Sequence, residues 1–230
     1  MHKFWALSAE SQFEPPATSG EYLRLLSPHV RPDDPVLDVG CNRGWASQLF
    51  ENYTGIDTNA EAISQAGAHW LAKGSTARFV HFVDAREDFP FEAERFRLVF
   101  AKDVLEHAAD PVRFLHQIAR ILQPSGLLFL CTPDAQSWVW NDPTHLRPYP
   151  RAAHRALAEM TGFKCIDSGY ESTAPGTQVL ARLIGTRRMP FPYRVAARLP
   201  LWPRNVWSIL RKQNYGTKNL TSTRPKVGFQ

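Results

Sequence analysis

The segment PVLDVGCNRGWAS (35–47) narrows most sharply what this chain can fold into. A short run rich in Val and Leu, closed by Gly40, reads as a strand buried on both faces. A glycine-interrupted turn leads from it into a helix expected from Trp45 to about Asn52. A strand buried on both faces needs strand neighbours on either side and helices above and below, so the segment predicts an α/β domain. The alternation of apolar strands with amphipathic segments from about residue 34 to 172 fits a parallel sheet.

Further strands are expected at YTGID (53–57), RFVHFVD (78–84), FRLVFAKD (96–103), LLFLCTP (127–133) and FKCIDSGYES (163–172). Helices are expected near 22–26, over 60–72, from Pro111 to an end marked by Pro124 and Gly126, and over 151–160 before Gly162. Two segments compete for the seventh strand, QVLARLIG (178–185) and NVWSILRK (205–212). A strand inserted between two others should be apolar on both faces, and Arg182 interrupts the first candidate. The reading is therefore a strand at 205–211 and a mostly helical insertion over 177–200. The sheet is a doubly wound one of seven strands, mostly parallel with an antiparallel last strand. Residues 1–30 form an arm or lid, 31–215 the domain with a basic aromatic insertion at about 176–203, and 216–230 a tail.

The turn after the first strand carries the chemistry. Gly40 lets a ligand approach the backbone, Asn42 tolerates a left-handed conformation, and Gly44 permits close packing of the following helix. A dinucleotide fingerprint would need glycines at 40, 42 and 45, and positions 42 and 45 hold Asn and Trp. Asp38, Asp57 and Asp84 fall at the carboxyl ends of three expected parallel strands, where such sheets bind ligands. Asp57 and Asp84 also suit helix caps taken alone. Together the three acids suit a ligand with an ammonium, a ribose and an exocyclic amine, and would repel a pyrophosphate.

In order along residues 30 to 172, VLDVGCNRG, YTGID, FVDARED with FPF, RLVFAKDVLEHAADP, RILQPSGLLFLCTPD, and NDPTHLRPYP followed by MTGF resemble the class I S-adenosylmethionine-dependent methyltransferases. The resemblance is to the small-molecule type that includes ubiquinone-biosynthesis enzymes, and it implies a Rossmann-like fold with S-adenosylmethionine as cofactor. It places Asp38, Gly40, Cys41, Asn42 and Gly44 on the loop holding the methionine part, Asn42 standing where the family usually has glycine. It places Asp57, with Thr58, at the ribose, and Asp84 with Ala85 at the adenine. Lys102 and Asp103 border the place of methyl transfer, though Lys102 also reads as a solvated charge at a strand end. His107 and His145 are the candidate catalytic bases. His107 also suits a turn organised by Asp110 and Pro111, and His145 a loop with Asp142 and Arg147.

The implied reaction is methyl transfer to an oxygen of a small-molecule, glycan or lipid-linked acceptor. The alternatives are an RNA-directed enzyme and a non-catalytic binding module. The (Asn/Asp)-Pro-Pro-(Tyr/Phe) motif of base-amine methylation is missing after strand four, where the chain reads AKDVLEH.

The formal charge of +5 divides unevenly. Residues 1–185 carry 17 basic and 22 acidic side chains, whereas 186–230 carry 10 basic and no acidic ones. The basic end is interleaved with Phe191, Tyr193, Trp202, Trp207 and Tyr215, which suits a peripheral contact with an anionic membrane surface, with nucleic acid as the lesser reading. Cys41, Cys131 and Cys165 are far apart, which reads as a reduced, cytoplasmic compartment and no structural metal. No stretch approaches the roughly 20 apolar residues of a membrane span.

Overall fold

The computed structural model describes residues 13–14, 19–83, 88–172 and 203–213. Asp84, Ala85, most of the 176–203 insertion and the 216–230 tail lie outside the described residues. Seven strands form one sheet: β1 (Val36–Val39), β2 (Tyr53–Asp57), β3 (Arg78–His81), β4 (Phe96–Lys102), β5 (Leu122–Pro133), β6 (Phe163–Ser172) and β7 (Pro203–Lys212), in the order β3-β2-β1-β4-β5-β7-β6. β7 runs antiparallel between β5 and β6, and the pairings among β1 to β5 are parallel. The helices are α1 (Ser19–Leu26), α2 (Ala60–Ala72), α3 (Pro111–Ile121) and α4 (Arg151–Met160).

Strand periodicity of two divides the apolar residues between the two faces. Leu37, Val39, Val99, Ala101, Leu128, Leu130 and Leu210 pack with α3 residues Leu115, Ile118 and Ile121 and with Leu157 of α4. The alternate positions Val36, Leu98, Phe100, Leu127, Phe129 and Ile209 pack with Tyr22 and Leu26 of α1. On that second face Phe100 and Phe129 stack at 5.0 Å between centroids. Val206, Ile209 and Leu210 of β7 are fully buried, as an inserted strand requires. Ser208 is also buried there, and it is satisfied by His154 of α4, whose Nδ1 lies 3.0 Å from its hydroxyl.

Local signals set the helix starts. The Asn59 side chain accepts from Ala62 N to cap α2, and Asp110 accepts from Arg113 N to cap α3 ahead of Pro111. Three expected boundaries move. The helix expected over 45–52 is one 3-10 turn, Trp45–Gln48, because its N-cap Gly44 has no side chain to hold it and the chain must bring Asn52 beside Val36 to open β2. α3 stops at Ile121, not at Pro124, because Leu122 already pairs with Phe96; β5 then passes through an irregularity in which Ser125 has a φ of 58°. β3 ends its pairing at His81, where Asp57 is the last partner on β2. Among the described residues no helix is long and apolar enough to cross a membrane.

Candidate active site

The strand order reverses between β1 and β4, the switch point where open α/β sheets leave a crevice at the carboxyl ends of their strands. A cavity of about 710 Å³ opens there, with Gly40, Asn42, Asp57, Thr58, Asp103 and His107 in its lining. Ile56, Phe82, Phe89 and Val104 give it an apolar wall.

The loop after β1 is held by backbone and carboxylate together. Gly40 N and Cys41 N donate to Ile56 O at 2.9 and 3.0 Å, and Gly44 N donates to Cys41 O at 2.8 Å. Asp57 staples the loop to the start of α2: Oδ2 accepts from Asn42 N and Oδ1 from Asn59 N, both at 2.8 Å. It is thus not the cap of α2, a duty taken by Asn59, and each of its oxygens retains a lone pair for another donor. Gly40, Asn42 and Gly44 have φ of 73°, 47° and 71°, so Asn42 takes the left-handed shape expected of it. At Gly40 a Cβ would lie 2.3 Å from Val104 Cγ2, so a side chain has no room between the loop and the cavity wall. At Gly44 it would strike Phe79 at 2.2 Å.

Asp38 departs from the expected placement. It is 4% exposed, lies behind the loop and does not line the cavity. Its Oδ2 accepts from the Tyr53 hydroxyl at 2.6 Å. Burial raises its pKa to about 7; the Tyr53 bond and Lys102 pull down, while the charge of Asp57 pushes up. Cys41 and Gly44 are likewise part of the loop's frame, since neither lines the cavity. Burial, with Asp38 and Asp57 adding to it, pushes the Cys41 thiol far up, so it is no nucleophile.

Lys102 is not the solvated charge that its strand-end position allowed: its side chain is 15% exposed and ion-paired with Asp103. Burial alone would lower its pKa, but Asp103 and Glu171 outweigh that and raise it. Asn205 of β7 ties the group together, donating through Nδ2 to Asp103 Oδ1 at 3.2 Å and to Glu171 Oε2 at 2.9 Å. Asp103 lines the cavity with a φ of 54°.

His107 and His145, 38 positions apart, meet edge to face at 4.8 Å between ring centroids. His107 lines the cavity, and His145, in ring contact with it, does not. Glu106, the residue before His107, is wholly buried, with its pKa raised to about 8 by burial and next by Asp103. The sequence reading missed Glu106, Tyr53, Gly55, Val104 and Asn205. Gly55 had a local signal, a glycine inside a strand: a Cβ there would lie 2.7 Å from Cys41 Sγ and 3.0 Å from the Tyr53 hydroxyl.

A protein family described as a methyltransferase domain matches residues 13–168. Over 128 residues the chain is 31% identical to the ubiquinone biosynthesis O-methyltransferase of Erwinia tasmaniensis, covering 52% of this chain and 52% of that protein. Over 107 residues it is 34% identical to the protein of the same name from Haemophilus ducreyi, covering 42% and 44%. The chain therefore spans about half the length of the curated relatives it matches. Among solved structures it superposes on an S-adenosylmethionine-dependent methyltransferase from Mesorhizobium loti with a TM-score of 0.63 at 16% identity, covering 85% of this chain and 98% of that one. The cyclase SpnF superposes with a TM-score of 0.63 at 20% identity, covering 84% and 80%. These structural likenesses establish the fold alone, and a cyclase among them illustrates that the sheet does not fix the chemistry.

Proposed function

The chain belongs to the methyltransferase-domain family of class I S-adenosylmethionine-dependent enzymes, and on that premise we propose that it methylates an oxygen of a small hydroxylated acceptor. The observation that carries this reading is the Asp57 staple, which fixes a glycine-bearing loop and a hydroxyl-accepting carboxylate at the mouth of one cavity. The oxygen as acceptor atom follows the name of the relatives, which are O-methyltransferases.

The side chains fit the cofactor. Gly40 leaves backbone instead of side chain facing Val104, and the spare lone pairs of Asp57 suit the two ribose hydroxyls. Ile56, Phe82 and Phe89 offer apolar surface to the adenine. Asp38 and Asp57 supply negative potential to an ammonium and a sulfonium, Asp38 from behind the loop through a medium of low dielectric. S-adenosylmethionine supplies an electrophilic methyl group when bound. The protein's part is to hold an acceptor in line with it and exclude water. Asp103 and His107 form the polar end of the cavity, and His107 presents an imidazole to the acceptor hydroxyl.

Calorimetry with S-adenosylhomocysteine and a labelled-methyl assay on phenolic and catecholic acceptors test this reading. Micromolar binding and label in an ether product are expected. No binding at millimolar ligand removes the reading, and label in RNA alone removes the acceptor class.

A further inference from the structure

We infer that Gln117 of α3 reads the base of the cofactor, its side-chain amide donating a hydrogen bond to a ring nitrogen of adenine. That role rests on S-adenosylmethionine being the cofactor. One stripe of α3 borders the cavity: Asp110, Arg113, Phe114 and Gln117 follow one another at the spacing that puts residues on a single helix face. The rise of the helix carries Gln117 about 9 Å from Pro111, its first residue, and so sets the amide apart from Asp103 and His107, which precede the helix at the acceptor end.

The Gln117 amide can sit in only one way. Its Oε1 accepts from Arg120 Nε at 3.1 Å, and a guanidinium offers donors alone, so the oxygen faces Arg120 and the NH2 group faces elsewhere. Arg120 does not line the cavity and Gln117 does, which leaves the NH2 group as the polar end presented to a ligand. Among the described residues its Nε2 donates to nothing. A half-buried donor without an acceptor is what a site keeps for a group that arrives with its ligand.

The same guanidinium ties this donor to an aromatic wall. Arg120 Nη1 donates to Phe91 O at 2.7 Å and Nη2 to Phe89 O at 2.8 Å. Phe89 lines the cavity and meets Phe82 and Phe114 edge to face, at 5.6 and 5.9 Å between centroids. A planar fork with every nitrogen engaged has little freedom, so Gln117 and Phe89 keep a fixed relation to each other. A flat heteroaromatic base is recognised by this combination, apolar surface against its faces and a donor at its edge. Adenine presents in-plane lone pairs at N1, N3 and N7, each able to accept from an amide N–H.

The test is calorimetry of the full chain with S-adenosylhomocysteine and its 1-deaza, 3-deaza and 7-deaza analogues, in each of which one ring nitrogen becomes C–H. Gln117→Glu keeps an oxygen for Arg120 and puts an acceptor where the NH2 group was; Gln117→Met, uncharged, is the second variant. Wild type is expected to bind at least one analogue about tenfold more weakly than the parent. Both variants are expected to bind the parent about tenfold more weakly and to accept that analogue as well as the parent. A variant loosened in its fold loses affinity for all four ligands alike and still discriminates among them. That result, or variants that hold the parent as tightly as wild type, overturns the proposal. A wild type that binds none of the four removes the cofactor and the methyl-transfer reading with it, whereas a wild type that binds beside unaltered variants removes the role of Gln117 alone.

Discussion

The Tyr53 hydroxyl reaches past Gly55 to donate to Asp38 Oδ2 at 2.6 Å, deep behind the loop that borders the cavity. This bond is what keeps the buried carboxyl of Asp38 from rising above a pKa of about 7, because it favours the ionised form. A cationic ligand nearby favours that form further, so binding S-adenosylmethionine releases a proton wherever free Asp38 is protonated. Calorimetry in buffers of different ionisation enthalpy should detect proton release at a pH somewhat below the Asp38 pKa of about 7 and almost none above pH 8.5. Asp38→Asn abolishes the release, and Tyr53→Phe carries it to higher pH. Release unchanged in Asp38→Asn assigns the proton elsewhere.

Asp57→Asn leaves one of the two backbone N–H groups at Asn42 and Asn59 facing an amide that cannot accept from it. We expect a loss of about 1–3 kcal/mol in stability and at least a tenfold weaker hold on S-adenosylhomocysteine. Urea denaturation and calorimetry measure the two. Full affinity in a stable variant would remove Asp57 from the ribose.

Gly40→Ala should destabilise the protein for two separable reasons, a φ of 73° and a contact with Val104. Adding Val104→Ala relieves the contact but not the backbone strain of about 1 kcal/mol. The double variant should therefore melt between Gly40→Ala and Val104→Ala. A double variant no better than Gly40→Ala denies the steric coupling.

His154 is buried, bonded through Nε2 to Thr132 Oγ1 at 2.9 Å and through Nδ1 to Ser208 Oγ. Burial lowers its pKa to about 4, below the unfolded value near 6.5. The unfolded chain then binds the extra proton first, so stability falls as pH drops from 6.5 toward 4. Asp38 acts oppositely over the same range, since its folded pKa of about 7 exceeds the unfolded 3.8 and its stability cost grows as pH rises. Glu106, raised to about 8, acts in the same sense as Asp38, so the two carboxyls outweigh His154 and the wild-type curve should fall as pH rises between about 4.5 and 6.5. In Asp38→Asn the Glu106 and His154 limbs offset each other, and denaturation should show the slope reduced by about 1.4 kcal/mol per pH unit toward a flat curve.

The basic segment offers a test independent of the cavity. Replacing Arg187, Arg188, Arg194 and Arg198 with Gln removes four of the ten basic residues beyond residue 185. Sedimentation with anionic vesicles should fall steeply, with S-adenosylhomocysteine affinity kept. Equal loss of both makes the segment structural.

Much of the fold was legible because it is written locally. α2 and α4 fall at the expected residues, and β7 follows from the rule that an inserted strand is apolar on both faces. The loop was legible for the same reason, since Gly40, Asn42 and Gly44 are adjacent and each has a backbone need. Contacts made across the sheet were hidden. Nothing near Asp38 announces Tyr53, and nothing in AKDVLEH announces that Glu106 and His107 meet His145. The turn at Trp45–Gln48 was overextended because its length is set by where Asn52 must sit beside Val36, a constraint from β1.

The insertion of β7 between β5 and β6 bears on how the chain is made. During synthesis the last strand of the sheet emerges after all the others, so a nascent chain short of residue 203 holds β5 and β6 with open edges where β7 will later pair with both. The β5 edge is apolar, and both edges stay unpaired for as long as translation of the intervening residues lasts, which makes that interval the period of greatest exposure to intermolecular strand pairing.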